Sequence, residues 1–178
     1  LLERIEQENG NNDSIKTFGH DLYGNIISET DGRGNTSTKE YDSFYHTFIT
    51  TRTNALGHAR TTIYETGLML PIGEVDPNGA VTTTDYDAFG RIIRTVSPGD
   101  SDGMPTVRIT YSEPDVFPKF IKKDVKDSSE GYLESYIYYD GLDRVVREKT
   151  ENPDGWTTID HYYDGQNREY KTSIPYLT

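Results

Sequence analysis

A tyrosine, usually followed by an acid, returns along this chain at a nearly constant interval. It occurs at Tyr41-Asp42, Tyr64-Glu65, Tyr86-Asp87, Tyr111-Ser112, Tyr139-Asp140 and Tyr163-Asp164, with spacings of 23, 22, 25, 28 and 24 residues. A degenerate copy, His20-Asp21, lies 21 residues before Tyr41. A period in the twenties is the mark of a repeat architecture, in which each unit is one small supersecondary element stabilised by its neighbours. Three units share more of their sequence: Tyr86-Asp87-Ala88-Phe89-Gly90-Arg91, Tyr139-Asp140-Gly141-Leu142-Asp143-Arg144 and Tyr163-Asp164-Gly165-Gln166-Asn167-Arg168.

The residue types dictate the local structure of one unit. Four positions after the tyrosine (or after His20) stand Gly24, Gly90, Asp143 and Asn167. Gly, Asn and Asp are the residues that accept positive φ, so this position is the left-handed residue of a hairpin turn. The residues beyond it are β-formers, such as Ile92-Ile93 and Val145-Val146, and they open the return strand. A second glycine lies seven or eight residues before each tyrosine, at Gly34, Gly57, Gly79, Gly103, Gly131 and Gly155. It sits in clusters such as Asp76-Pro77-Asn78-Gly79 and marks the opposite turn.

No stretch has helical period. The expected fold is therefore all-β: tandem antiparallel hairpins strung into one continuous strip, with strands of about 6–8 residues. In a repeating register the tyrosines are expected to share one face and stack as a ladder. Leu1 to Gln7 is read as a strand ahead of an Asn9-Gly10-Asn11-Asn12 turn. The Tyr41 unit, with Tyr45 and His46 where Gly and Arg belong, calls for a different turn. The Tyr111 unit, with Pro114 and Pro118, and the polar stretches 98–103 and 126–131 call for loops that leave the sheet. The repeat stays in phase through both, so residues 1–178 are read as a single repeat segment. The start at Leu1, without Met or a signal-type leader, reads as a cut from a longer polypeptide.

Composition narrows the function. The hydrophobic fraction is 33%, low enough to resemble disorder, but 14 tyrosines and many threonines point to a sheet with wet faces. Eighteen Lys+Arg against 30 Asp+Glu leave a net charge of −12, which argues against binding nucleic acid through its phosphates. The absence of cysteine excludes disulfides, thiolate metal sites and a cysteine nucleophile. No apolar run is long enough to span a membrane as a helix. Asn12-Asp13-Ser14 and Asn35-Thr36-Ser37 match the glycosylation triplet, a pattern common by chance.

Few residues invite a catalytic or metal reading. Asp42, Asp87, Asp140 and Asp164 recur with the repeat, as turn acceptors do and as a catalytic carboxylate does not. Arg91, Arg144 and Arg168 are expected to pair with carboxylates of neighbouring hairpins or to lie along the tyrosine face. Asp100-Ser101-Asp102-Gly103 lacks the remaining ligands of a calcium loop. The four histidines have no metal-ligand spacing, and Asp160 and His161, adjacent on a strand, point to opposite faces. No cofactor and no enzymatic activity are expected. Trp156 follows a turn glycine; if exposed, it could stack on a sugar, which defines the rival reading of a carbohydrate- or surface-protein-binding module.

Six Tyr-Asp units in phase resemble the Rhs (rearrangement-hotspot) or YD-repeat family, with Tyr86 to Arg94 as the best match and weaker copies over about residues 20–178. The run from Tyr139 through Trp156 to Tyr163 looks most like the B component of bacterial insecticidal toxin complexes and SpvB-type virulence proteins. The resemblance implies a curved, spiralling β-strip forming a wall segment of a hollow shell. Its partners would be the rest of that shell and an enclosed toxic C-terminal polypeptide, and its place would be secreted or at a bacterial cell surface. It makes Tyr41, Tyr64, Tyr86, Tyr111, Tyr139 and Tyr163, with Gly90 and the Asp and Arg series, structural elements of the repeat. An isolated strip has two open β-edges, so edge-to-edge self-association or covered ends are expected.

Overall fold

The computed structural model describes residues 3–7, 14–127 and 131–178. The turn expected at Asn9–Asn12, the triplet at Asn12 and part of the 126–131 loop lie outside the described residues. Among the described residues every regular element is a strand. The chain divides into two compact units, residues 1–83 and 84–178, with the division inside one strand.

Unit 1 is an antiparallel meander. It contains β1 (Glu3–Gln7), β2 (Ser14–His20), β3 (Ile26–Thr30), β4 (Thr36–Tyr41), β5 (Ile49–Thr53), β6 (Ala59–Tyr64), β7 (Pro71–Val75) and most of β8 (Val81–Tyr86). Each strand pairs with the next along the chain. Unit 2 repeats the scheme with β9 (Ile92–Val96), β10 (Val107–Tyr111), β11 (Lys119–Lys126), β12 (Tyr132–Tyr139), β13 (Val145–Asn152) and β14 (Gly155–Tyr163). Two short strands, β15 (Glu169–Thr172) and β16 (Tyr176–Leu177), then share the far side of β14. Short strands at an edge are a common defence against unwanted pairing.

Each unit is a single layer. Among the described residues no hydrophobic side chain is fully buried, and the largest fully buried side chains are Thr158 and Pro105. Burial alternates along β4, whose successive side chains point to opposite faces, one of them more covered than the other.

The turns follow their residue types. Gly24, Gly90, Asp143 and Asn167 have φ of 88°, 77°, 57° and 66°, the left-handed values that their shared chemistry predicts. Gly34, Gly57 and Gly79 do the same at the opposite turns. Gly103 does not; Gly99 (φ 91°) takes that role, in a Ser97–Asp100 turn closed by a 3.0 Å bond from Asp100 N to Ser97 O. The Tyr41 unit has the expected different turn: Asp42 N bonds Phe48 O, two residues wider than in the turns of Asp87, Asp140 and Asp164, and His46 carries the positive φ. The 97–106 stretch loops out but is tied back. Thr106 Oγ1 accepts from Ser97 N at 2.7 Å and donates to Asp100 at 2.5 Å, and Tyr132 Oη donates to Pro105 O at 2.9 Å.

One regular feature is invisible in the residue pattern. The register slips by one residue just before the repeat tyrosine (or His20) in five units, between Gly19/His20, Glu40/Tyr41, Ile63/Tyr64, Tyr138/Tyr139 and Tyr162/Tyr163. The return strand contributes the extra residue, so a β-bulge sits at the same place in each of them. A bulge bends its strand and re-aims the neighbouring side chain.

Candidate functional site

The repeat positions form a latch that is built twice over, first within a turn and then between hairpins. In the Tyr86 unit, Asp87 Oδ1 accepts the backbone N–H of Phe89 (2.9 Å) and of Arg91 (3.0 Å), while Oδ2 accepts from Arg91 Nε at 2.7 Å. Asp140 does the same with Leu142, Arg144 and the Arg144 guanidinium, and Asp164 with Gln166, Arg168 and the Arg168 guanidinium. Asp21 accepts from Tyr23 and Asn25, with the Asn25 amide in place of arginine. The arginines thus pair with the carboxylate of their own turn. A neighbouring hairpin's carboxylate was one of the two expected arrangements, and the carboxylate partner lies instead in the same turn.

The second half of the latch crosses to the next hairpin. The Arg91 guanidinium lies 4.0 Å from the Tyr111 ring centre, and Arg144 lies 4.5 Å from that of Tyr163. The tyrosine hydroxyls donate to backbone carbonyls of the strand before them: Tyr41 to Ile26, Tyr64 to Ile49, Tyr111 to Ile92 and Tyr163 to Val145, at 2.9–3.2 Å. Arg144 also donates to Asn167 Oδ1 at 2.8 Å, which joins two successive turns. Among the described residues no ring contact joins Tyr41, Tyr64, Tyr111, Tyr139 and Tyr163 to one another, so the expected stacked ladder gives way to diagonal anchors. The reason is spacing. One strand lies between successive tyrosines, so the Tyr111 and Tyr163 rings meet first the arginine just ahead of that strand, Arg91 or Arg144. Tyr139 stands opposite Lys119 on β11, and Tyr86 ends β8.

The opposite turns share this geometry. Asp31, Asn54 and Asp76 each accept backbone N–H bonds from the residues two and four positions on. Each also accepts from the glycine three positions on through its own carbonyl. The sequence separates Tyr-Asp turns from glycine-cluster turns, but the structure makes seven of them one three-residue design. The signal was the Asp/Asn placed three residues before a Gly, Asp or Asn at both ends of the hairpins.

These bonds hold the turn carboxyls below their usual range. For Asp140 the main cause is the Arg144 side chain; for Asp164 it is the Arg168 backbone N–H. At Asp42 and Asp87 burial pushes the other way and is outweighed by backbone N–H donors. Carboxylates so engaged serve as acceptors in the turn. Asp100 is likewise taken, by Lys126 and Thr106. His161 sits between Glu148 and Glu169, 3.0 Å from each, while Asp160 turns the other way to Arg147 and Tyr176, each at 2.6 Å. Trp156 is half-buried rather than exposed. Its ring meets Tyr136 edge-on at 5.6 Å between ring centres, with Lys149 Nζ 5.3 Å over it.

The most exposed apolar residues are in turns, and mostly at the Tyr-Asp end of the hairpins. In unit 1 these are Leu22, Tyr23 and Phe44, against Leu56 at the other end; in unit 2 they are Phe89, Phe117 and Leu142, while Ile174 lies between β15 and β16. Near Phe44, the rings of Tyr45, Phe48 and Tyr64 border an open cleft of about 590 Å³ together with Ile63 and Met69.

The RHS Repeat family model matches residues 70–102, which span the opposite turn at Asp76–Gly79 and the whole Asp87–Arg91 latch. Residues 70–102 of this chain carry an Rhs repeat. No curated protein matches it significantly. Among solved structures, the TcdB2-TccC3 crystal structure superposes on this chain with a TM-score of 0.74 at 13% identity, over 98% of this chain and 12% of that one. TcdB2-TccC3 without its hypervariable C-terminal region gives 0.70 at 10% identity, over 99% and 14%. The Photorhabdus luminescens Tc holotoxin pore gives 0.64 at 17% identity, over 90% and 9%. At these identities the likeness is one of fold. This chain spans roughly an eighth of the TcdB2-TccC3 chain.

If the latch couples hairpins, its parts must be coupled in energy. Tyr163→Phe removes one hydroxyl bond and is expected to cost about 1 kcal/mol. A double-mutant cycle of Tyr163→Ala with Arg144→Ala, read by urea unfolding, is expected to show a coupling of about 0.5–1 kcal/mol. Strict additivity would mean that the ring and the guanidinium are neighbours without interaction.

Proposed function

We propose that this chain is a wall segment of an Rhs shell that encloses a toxic C-terminal polypeptide until delivery. The observation that carries this reading is a sheet without a core. Each unit keeps its polar groups satisfied within single hairpins and between successive ones, so a wall can be lengthened repeat by repeat without a second layer. The fold shared with TcdB2-TccC3 over 98% of the chain supports the same reading. The apolar tips at the Tyr-Asp end suit burial against further polypeptide of the shell. Its partners are the flanking repeats and the enclosed chain, its role is non-enzymatic, and its place is outside a bacterial cell. The half-buried Trp156 gives no support to sugar stacking as the function.

Limited proteolysis of the full-length polypeptide tests the proposal. The C-terminal region is expected to resist protease in the parent. It should become cleavable when the wall is opened by Thr158→Pro, which places a proline in the central strand β14 where a fully buried threonine stood. Equal cleavage in both proteins, with the strip still folded in the parent, would reject containment.

A further inference from the structure

Unit 1 carries a row of like charges that the fold does not need. Lys39 on β4 stands directly opposite Arg52 on β5, and Arg52 directly opposite Arg60 on β6. Like charges placed opposite one another across strands destabilise a sheet. At other pairs the chain places opposite charges, as where Arg147 faces Asp160, or compensates like ones: Arg94 faces Arg108 but pairs Asp85, and Asp124 faces Glu134 with Lys122 bound to both. Arg60 has one carboxylate partner, Glu74, at 2.6 Å. Among the described residues Lys39 and Arg52 form no ion pair, in a protein with 12 more acids than bases.

The three cations line a shallow groove of about 400 Å³ together with Ser37, Asn54 and His58, and no Asp or Glu lines it. Asn54 Oδ1 is committed to the backbone N–H groups of Leu56 and His58, at 3.0 Å each. The groove therefore presents cations, ring nitrogens and hydroxyls, and its amide oxygen is already spent. The outer cations are two interstrand steps apart, roughly 10 Å at the backbone, so long side chains can converge on one group above Arg52. A guanidinium offers parallel N–H donors that match the oxygens of an oxyanion, and lysine adds a point charge.

We propose that Lys39, Arg52 and Arg60 form an anion-binding site that takes a tetrahedral oxyanion, phosphate or sulfate, either free or as the ester group of a larger ligand. Bound anion relieves the repulsion along the row, and Glu74 competes with it for Arg60.

Calorimetric titration of the 178-residue chain with sodium phosphate and with sodium sulfate, at ionic strength held constant with chloride, tests this. Saturable binding in the range of about 1–10 mM is expected for at least one of them. Arg52→Gln should weaken it about tenfold, with Lys39→Gln as a second variant should the first not fold, and Glu74→Gln should tighten it. Arg33→Gln, which removes an exposed cation outside the groove, should leave it unchanged. Phosphoserine and a sulfated disaccharide, titrated in parallel, separate a free ion from an ester as the source: tighter binding of either ester than of its inorganic ion assigns the ester. No saturation with either inorganic ion, equal loss in Arg33→Gln, or undiminished binding in the groove variants would overturn the site. Tighter binding of oligoglutamate than of all four would overturn the oxyanion assignment.

Discussion

Trp156→Ala is expected to destabilise the chain by about 2–3 kcal/mol and to lower its thermal midpoint by roughly 5–10 °C. A half-buried ring would ordinarily matter less than one in a core. Here there is no core among the described residues, so rings laid over the sheet supply much of the apolar contact that exists. Trp156 is the single tryptophan, and it meets Tyr136, which in turn contacts Tyr138 and Phe120 at ring-centre distances of 5.8 and 6.0 Å. Removing it uncovers the end of that aromatic row and the Lys149 stem. Trp156→Phe should restore most of the loss. Phe89→Ala, at an exposed turn tip, should change stability by less than about 0.5 kcal/mol. Circular dichroism melts of the three variants decide the matter. A Trp156→Ala protein that melts with the parent would show that the aromatic row contributes little.

Acid is expected to unfold the chain steeply, with the loss beginning below about pH 4.5, where Glu29, Glu65, Glu134 and Glu169 start to lose their bonds, and concentrated below about pH 3.8. Asp21, Asp31, Asp42, Asp76, Asp87, Asp140 and Asp164 all have folded-state values below the ordinary 3.8. A lowered carboxyl contributes stability that is fully present above the unfolded value, and it is lost as pH falls through the folded one. Seven such turns act in the same window, so their losses coincide. His161 has the opposite sign. The bond to Glu169, opposed by burial and aided by Glu148, raises its value above 6.5. Its contribution is complete below 6.5 and is lost as pH rises through the raised value. The midpoint should therefore be flat from about pH 4.5 to 6.5, dip slightly on the alkaline side and collapse in acid. Asp31→Asn with Asp76→Asn should flatten the acid limb, because Asn54 already performs the same turn role without a charge. Stability that declines from pH 6 downward would contradict the assignment of these bonds.

Turn chemistry was the most legible part. Asp143 and Asn167 carry positive φ because they stand where Gly24 and Gly90 stand, and a repeat allows one unit to be read from another. Sheet pairing followed, since short turns leave strands little choice but their neighbours. Less was visible where geometry depends on the third dimension. Arg91 could be assigned to the ring but not to its own turn's carboxylate, because a long side chain reaches both and only the turn's curl brings Asp87 nearer. The row of Lys39, Arg52 and Arg60 lies at unremarkable positions in three separate strands, and only the pairing register aligns it.

The sequence by itself determined the all-β repeat, the left-handed residue of most turns and the absence of a deep core among the described residues, because these depend on local sterics and composition. The tertiary structure decided which groups meet across strands. Those contacts depend on a one-residue register, which the recurring bulge before the tyrosine shifts and which no single segment encodes.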